Sequence, residues 1–245
     1  KTKRNIAYTT YLYQEKLPYI FMQDRGGFSD LRVMTHELGH AFEKYLNKDV
    51  ELFLQFTSNI ETAESQAITM ELIFSEQQNI LIKNKSSNDY KNYIILKNLI
   101  LIPEALCIYE FERLTYSSKS LDKKDLKRIW LDLNIKFGLL KEGSLNEQKF
   151  SEYWVMKKHL FNAPCYYINY AIAKLIAFQF YSDYVKDKAS TFISFKEYIK
   201  SSGCKSFEDL LISLNLFHPF SKESSALMDK LLKKHLVLNK KNTTV

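Results

Sequence analysis

Apolar positions recur along this chain mainly at helical spacing, with one short exception at the start. Ile6 to Tyr13 alternates and is rich in Tyr and Thr, which predicts a β-strand, and Pro18 to Gln23 predicts a second. Asp24 to Asp30 (DRGGFSD) is a turn, with Ser29 or Asp30 the candidate N-cap of a helix from about Leu31 to Leu46. Val33, Met34, Leu38, Ala41, Phe42 and Tyr45 give that helix an apolar side. Further helices are predicted over Glu61–Ile82, Asp89–Tyr116 with a kink at Pro103, Lys124–Phe137, and Pro164–Lys186 with Pro164 in its first turn. Ser117–Lys124 and Gly138–Asn146 read as loops. Two or three shorter helices follow, ending near Leu238, with Lys240–Val245 a frayed tail. The pattern predicts one domain over residues 1–245, mostly α, with a small β-sheet near the N-terminus.

Composition narrows this. Six Gly and four Pro in 245 residues supply too few turn formers for a sandwich of many short strands. The formal charge of +7 comes from lysines interleaved with Glu and Asp, the pattern of a solvated surface, and no signature of nucleic-acid recognition accompanies it. The longest apolar run, about Asn98 to Tyr109, is broken by Pro103 and Glu104, so no membrane span is expected, and no signal peptide is visible. Three cysteines, Cys107, Cys165 and Cys204, form no CxxC pair, which favours a reducing cytoplasm over a disulfide framework.

The chemistry begins at His36-Glu37-Leu38-Gly39-His40, an HExxH pattern inside a helix. Positions i and i+4 share a helix face, so two imidazoles can reach one zinc ion. The Glu after the first His can then reach a zinc-activated water and take its proton. Zinc needs a third protein ligand. The three-histidine arrangement is excluded, because the positions for its Gly and His hold Glu43 and Leu46. The ligand should come from the next helix, which offers Glu61, Glu64 and Glu71 on one face. His159 precedes a later helix on which Tyr166 and Tyr170 lie one turn apart, with Tyr167 adjacent. A His and a tyrosine hydroxyl are suitable donors for the oxyanion of peptide hydrolysis.

THELGHAF followed by ETAESQAITMEL resembles the M3 family of zinc metallopeptidases, and specifically its oligoendopeptidase F-like branch. AYTTYLYQEKLPYIFMQ, LILIPEALCIYEFERLTY, YWVMKKHLFNAPCYYINYAIAK and GCKSFEDLLISLNLFHPF resemble further segments of that family, in its order, so the resemblance covers nearly the whole chain. It implies a zincin-like helical catalytic domain with one Zn2+ per chain, held by His36, His40 and Glu64. Glu37 would be the general base, with Glu61 and Glu71 orienting the ligands. His159 and Tyr170 would stabilise the oxyanion, with Tyr166 or Tyr167 beside them. Cys165, Asn169 and Gln23 stand where the family commonly has Phe, Asp and Asn, and none of these is a metal ligand.

The activity so implied is zinc metalloendopeptidase hydrolysis of short oligopeptides, by a metal-activated water with Glu37 as base. Family members carry a long helical N-terminal region that forms the other wall of a deep channel. This chain begins just before the catalytic strands, so a missing N-terminal half or a partner chain is expected to complete it. The alternative is a catalytically incomplete helical domain that binds a peptide or a partner. His218 and His235 read as structural or surface residues.

Overall fold

Two five-residue strands come first in the computed structural model, which describes residues 7–23, 26–51, 58–80, 82 and 87–242. Strand β1 (Tyr8–Leu12) pairs antiparallel with β2 (Leu17–Phe21), Tyr8 opposite Phe21 and Leu12 opposite Leu17. Tyr8, Thr10 and Leu12 share the exposed face, and Thr9 and Tyr11 turn to the other. Ile6, Asp24, Arg25, Leu81 and residues 243–245, which the sequence expectations also cover, lie outside the described residues.

Helix α1 spans Phe28–Leu46 and so starts before the expected Ser29 or Asp30 cap. Its N-cap is Gly27, at φ 104°, with no side-chain cap bond. Gly26 is also in the left-handed region, at φ 81°. Only glycine takes these angles without strain, so the pair turns the chain into the helix two residues early. Asp30 falls instead in the first turn, where its charge suits the helix dipole.

Helix α2 (Ile60–Ser75) is shorter than expected and gives way to a 3-10 turn at Gln78–Ile80. Helix α3 (Ser87–Ser117) runs through Pro103. Helix α4 (Lys123–Lys136) opens with a capping box between Asp122 and Asp125. The short helices α5 (Glu147–Phe150) and α6 (His159–Asn162) flank a 3-10 turn at Tyr153–Met156. Helix α7 is Tyr167–Lys186, not Pro164–Lys186. Cys165, at φ 60°, breaks the helical run after Pro164. The chain continues with α8 (Lys188–Ser201), α9 (Phe207–Ser213) and α10 (Lys222–Asn242).

The chain forms two compact units. The first comprises residues 1–97 and 172–245. Its core joins Ile73, Ile176, Phe180, Phe195, Tyr198 and Leu211, with Phe42 and Met70 packed against it. Buried polar contacts lock α2 to α8: Ser65 Oγ meets the Tyr198 hydroxyl at 2.7 Å, and Gln66 donates to Ser202 Oγ at 3.1 Å. Helices α1 and α2 approach closely at Gly39, where a Cβ would lie 2.5 Å from the Cα of Ala67. The second unit, residues 98–171, packs around Cys107, Ile108, Phe111, Trp130, Leu133 and Leu160.

Candidate metal centre

The close approach at Gly39 sets the site. With no side chain between them, α1 and α2 pack near backbone contact, and Glu64 on α2 comes level with the two histidines of α1. One ligand atom each from His36, His40 and Glu64 lies within 4.8 Å of the others. His36 Nε2 stands 3.5 Å from Glu64 Oε2. Tetrahedral zinc, with bonds of about 2.0–2.2 Å, holds its ligand atoms about 3.3–3.6 Å apart, so small side-chain adjustments suffice. The imidazoles of His36 and His40 are edge to face, with centroids 4.9 Å apart.

Two further observations fit a cation here. Glu64 Oε2 is buried and has no hydrogen-bond partner among the described residues, an arrangement that is costly without a positive charge nearby. His36 Nδ1 lies 2.7 Å from Glu71 Oε1. A proton on that nitrogen bonds the carboxylate and leaves the Nε2 lone pair facing Glu64, the tautomer a metal ligand needs.

The electrostatics follow from burial and pairing. Burial would raise Glu71, but its hydrogen bond to His36 and the charges of His36, Arg32 and Lys174 outweigh that and hold the carboxyl at about 2. Burial would lower His36, but Glu71, Glu64 and Glu37 outweigh it and push its pKa up. Burial, with His36 and Lys44 adding to it, holds His40 down at about 3, so that imidazole stays neutral. Burial raises Glu64, against the pull of His36 and Lys174. His36 and Glu64 thus both favour retaining a proton, which a bound metal would replace.

Of the residues singled out in the sequence, His36, Glu37, His40, Glu64 and Glu71 converge. Glu37 is 7% exposed and lines, with Tyr8, Thr9, His36, His40 and Glu64, a cleft of about 410 Å³. Glu71 sits behind His36 with Arg32, whose Nη1 donates to Oε1 at 3.2 Å. Glu61 lies a turn earlier on α2, where its charge acts on the buried Tyr198 hydroxyl. His218 is half exposed and stands 3.3 Å from Glu208. His235 is buried.

Within the second unit, His159, Tyr166, Tyr167 and Tyr170 form one aromatic cluster. The His159 ring stacks on Tyr166 at 5.2 Å and meets Tyr167 and Tyr170 edge-on at 5.3 and 6.3 Å. The Cys165 turn that starts α7 is held by Glu112, whose Oε1 accepts the Cys165 amide at 2.9 Å.

Three participants in the first unit went unnoticed in the sequence. Arg32 lies four residues before His36 and could have been found by helical spacing. Thr9 donates from β1 to Glu37, and the nearly buried Lys174, lowered to about 8 by burial against the pull of Glu71 and Glu64, comes from α7. Neither has a local signal, because both contacts are long-range.

The profile of Peptidase family M3 matches residues 1–238. The chain belongs to peptidase family M3. Its fold is that of PZ peptidase A, solved with an inhibitor: TM-score 0.85 at 23% identity, over 95% of this chain and 42% of that one. A 3.1 Å structure designated oligoendopeptidase F gives 0.83 at 23% identity, over 94% and 41% of the two chains. One of the same designation from Bacillus anthracis str. Ames gives 0.77 at 22%, over 94% and 38%. This M3 chain therefore spans about two fifths of the length of the structures it matches. No curated protein matches it in sequence. Among the described residues no helix is long and apolar enough to cross a membrane.

Proposed function

We propose that this chain is the catalytic part of a zinc-dependent metalloendopeptidase that hydrolyses short oligopeptides. The observation that carries the proposal is the convergence of two imidazoles and a carboxylate within 4.8 Å, with Glu37 on the same cleft. His36, His40 and Glu64 would hold one zinc ion, which when bound supplies Lewis acidity to the water and to the scissile carbonyl. Glu71 keeps His36 in its ligating tautomer, and Arg32 holds Glu71.

Glu37 takes a proton from the attacking water and passes it to the departing amine, so the carboxylate is restored at the end of the cycle. The donor role at the carbonyl oxygen is assigned to His159 and Tyr170, with Tyr166 and Tyr167 packed around the His159 ring. Residues 1–245 act as one catalytic domain. The wall that encloses the peptide is to be sought outside them, in a longer chain or a partner, and would restrict substrates to short unfolded peptides. Three unpaired thiols suit a cytoplasmic setting.

The test is metal content measured beside hydrolysis of a quenched fluorescent oligopeptide, with and without a chelator. One zinc per chain and chelator-sensitive cleavage are expected. A chain that takes up no zinc under any folding condition would refute the proposal. Zinc without cleavage would favour the second reading, a domain that binds peptide and needs its missing wall for turnover.

A further inference from the structure

Thr9 stands outside the zinc ligands and the base, yet its hydroxyl touches Glu37 from another element. It lies on β1, on the strand face turned away from the exposed Tyr8, Thr10 and Leu12. Its Oγ1 donates to Glu37 Oε2 at 2.7 Å and reaches the Glu37 main-chain oxygen at 3.0 Å. Of the three hydroxyls of Tyr8-Thr9-Thr10, those of Tyr8 and Thr10 lie on the exposed face and that of Thr9 meets the base. The register that fixes this is Thr9 opposite Ile20.

A hydroxyl has one proton and two acceptor lone pairs. Thr9 has two acceptors on Glu37 in reach of its proton, and Oε2, the nearer, remains an acceptor in both states Glu37 passes through. Toward the carboxylate it donates to Oε2, which fixes the plane of the carboxyl and leaves Oε1 for the water. When Oε1 carries the transferred proton, Oε2 is the carbonyl oxygen of the acid and still accepts from Thr9. The bond to Oε2 is kept in both states, and no group has to reorganise.

We infer that Thr9 is a positioning residue for the catalytic base: it holds the Glu37 carboxylate through both halves of the proton shuttle. The inference rests on Glu37 being that base. A hydrogen bond to a charged group is strong enough that its loss should weaken Glu37-dependent steps by about tenfold or more.

The test compares wild type, Thr9→Val, Thr9→Ser and Glu37→Gln as zinc-loaded protein. Val is nearly isosteric and lacks the hydroxyl; Ser keeps it. The readout is binding of a peptide hydroxamate, whose N–O–H proton goes to the base as the hydroxamate oxygen binds the metal, so turnover is not required. Zinc stoichiometry, melting temperature and affinity for the parent peptide amide serve as controls. Thr9→Val should bind the hydroxamate about tenfold or more weakly than wild type with the controls unmoved, and Thr9→Ser should restore most of the loss. Thr9→Val binding at wild-type strength while Glu37→Gln is impaired would overturn the role of Thr9 alone. Unimpaired Glu37→Gln would overturn the assignment of the base, and the inference with it. A Thr9→Val defect that Ser does not rescue, or that follows a fall in melting temperature, would make Thr9 a mere tie between β1 and α1.

Discussion

Two carboxylates, Glu71 in the first unit and Glu112 in the second, are both shut off from solvent, at 1% and 2% exposure, and behave in opposite ways. Glu71 faces His36 and Arg32, and these partners outweigh burial and hold its carboxyl at about 2. Among the described residues Glu112 accepts only the Cys165 amide, on Oε1, its Oε2 has no partner there, and burial pushes its pKa up against that one bond. Loss of solvent contact alone therefore does not decide the charge of these two carboxyls; the partners of Glu71 reverse its sign. The first unit concentrates countercharge around His36, where the proposed function needs an oriented ligand. The second uses a carboxyl as a hydrogen-bond acceptor to shape the turn before α7.

The largest effect is expected from removing Glu71. Glu71→Ala leaves Arg32 and His36 facing an empty site, and should cost about 3–5 kcal/mol in urea unfolding of the metal-free protein. A cost no larger than that of a surface substitution would break the comparison. The pH dependence has a definite sign. The folded pKa of Glu71 lies below the usual 4.5, so its contribution is present above that value and is lost as pH falls toward 2. Glu71→Gln should flatten acid unfolding in this window.

Next in size is Gly39→Ala, which tests the helix approach that lets α2 reach the partners on α1. The added Cβ would meet the Ala67 main chain at 2.5 Å, and backbone cannot yield as a side chain can. A loss of about 1–3 kcal/mol is expected, with weaker zinc retention because Glu64 is pushed from the histidines. Unchanged stability and zinc affinity would show that the approach is not needed.

Smallest, and opposite in sign, is Glu112→Gln. The folded pKa of Glu112 is raised, so its contribution is present below the usual carboxylate value and is lost as pH rises through the raised one. The amide should raise the melting temperature at pH 8 while keeping an oxygen for Cys165, and the gain should vanish near pH 4. A lower melting temperature at pH 8 would mean that Glu112 is ionised and paired in the fold.

How far the sequence is readable depends on the range of each interaction. Periodicity located the longer helices and missed the single turns Glu147–Phe150 and His159–Asn162, too short to show a period, and the i, i+4 pair His36 and His40 was legible because helix geometry alone puts them on one face. From the residues, Glu61, Glu64 and Glu71 remained equivalent choices on one face of α2; the resemblance pointed to Glu64, and only the packing of α2 on α1 separates Glu64, beside His36 Nε2, from Glu71, at Nδ1. Helix starts were misplaced where positive φ intervened, at Gly27 and at Cys165. Thr9 and Lys174 were invisible because residues 28 and more positions away bring them to the site.

The measurement that tests the account most directly is zinc stoichiometry beside peptide turnover in Glu64→Ala and Glu37→Gln, made together in whatever longer chain or complex supports activity. Glu64→Ala should lose zinc and, with it, turnover. Glu37→Gln should keep one zinc per chain and turn nothing over. Zinc held at wild-type affinity by Glu64→Ala, or substantial hydrolysis by Glu37→Gln, would contradict the assignment of ligand and base on which the account stands.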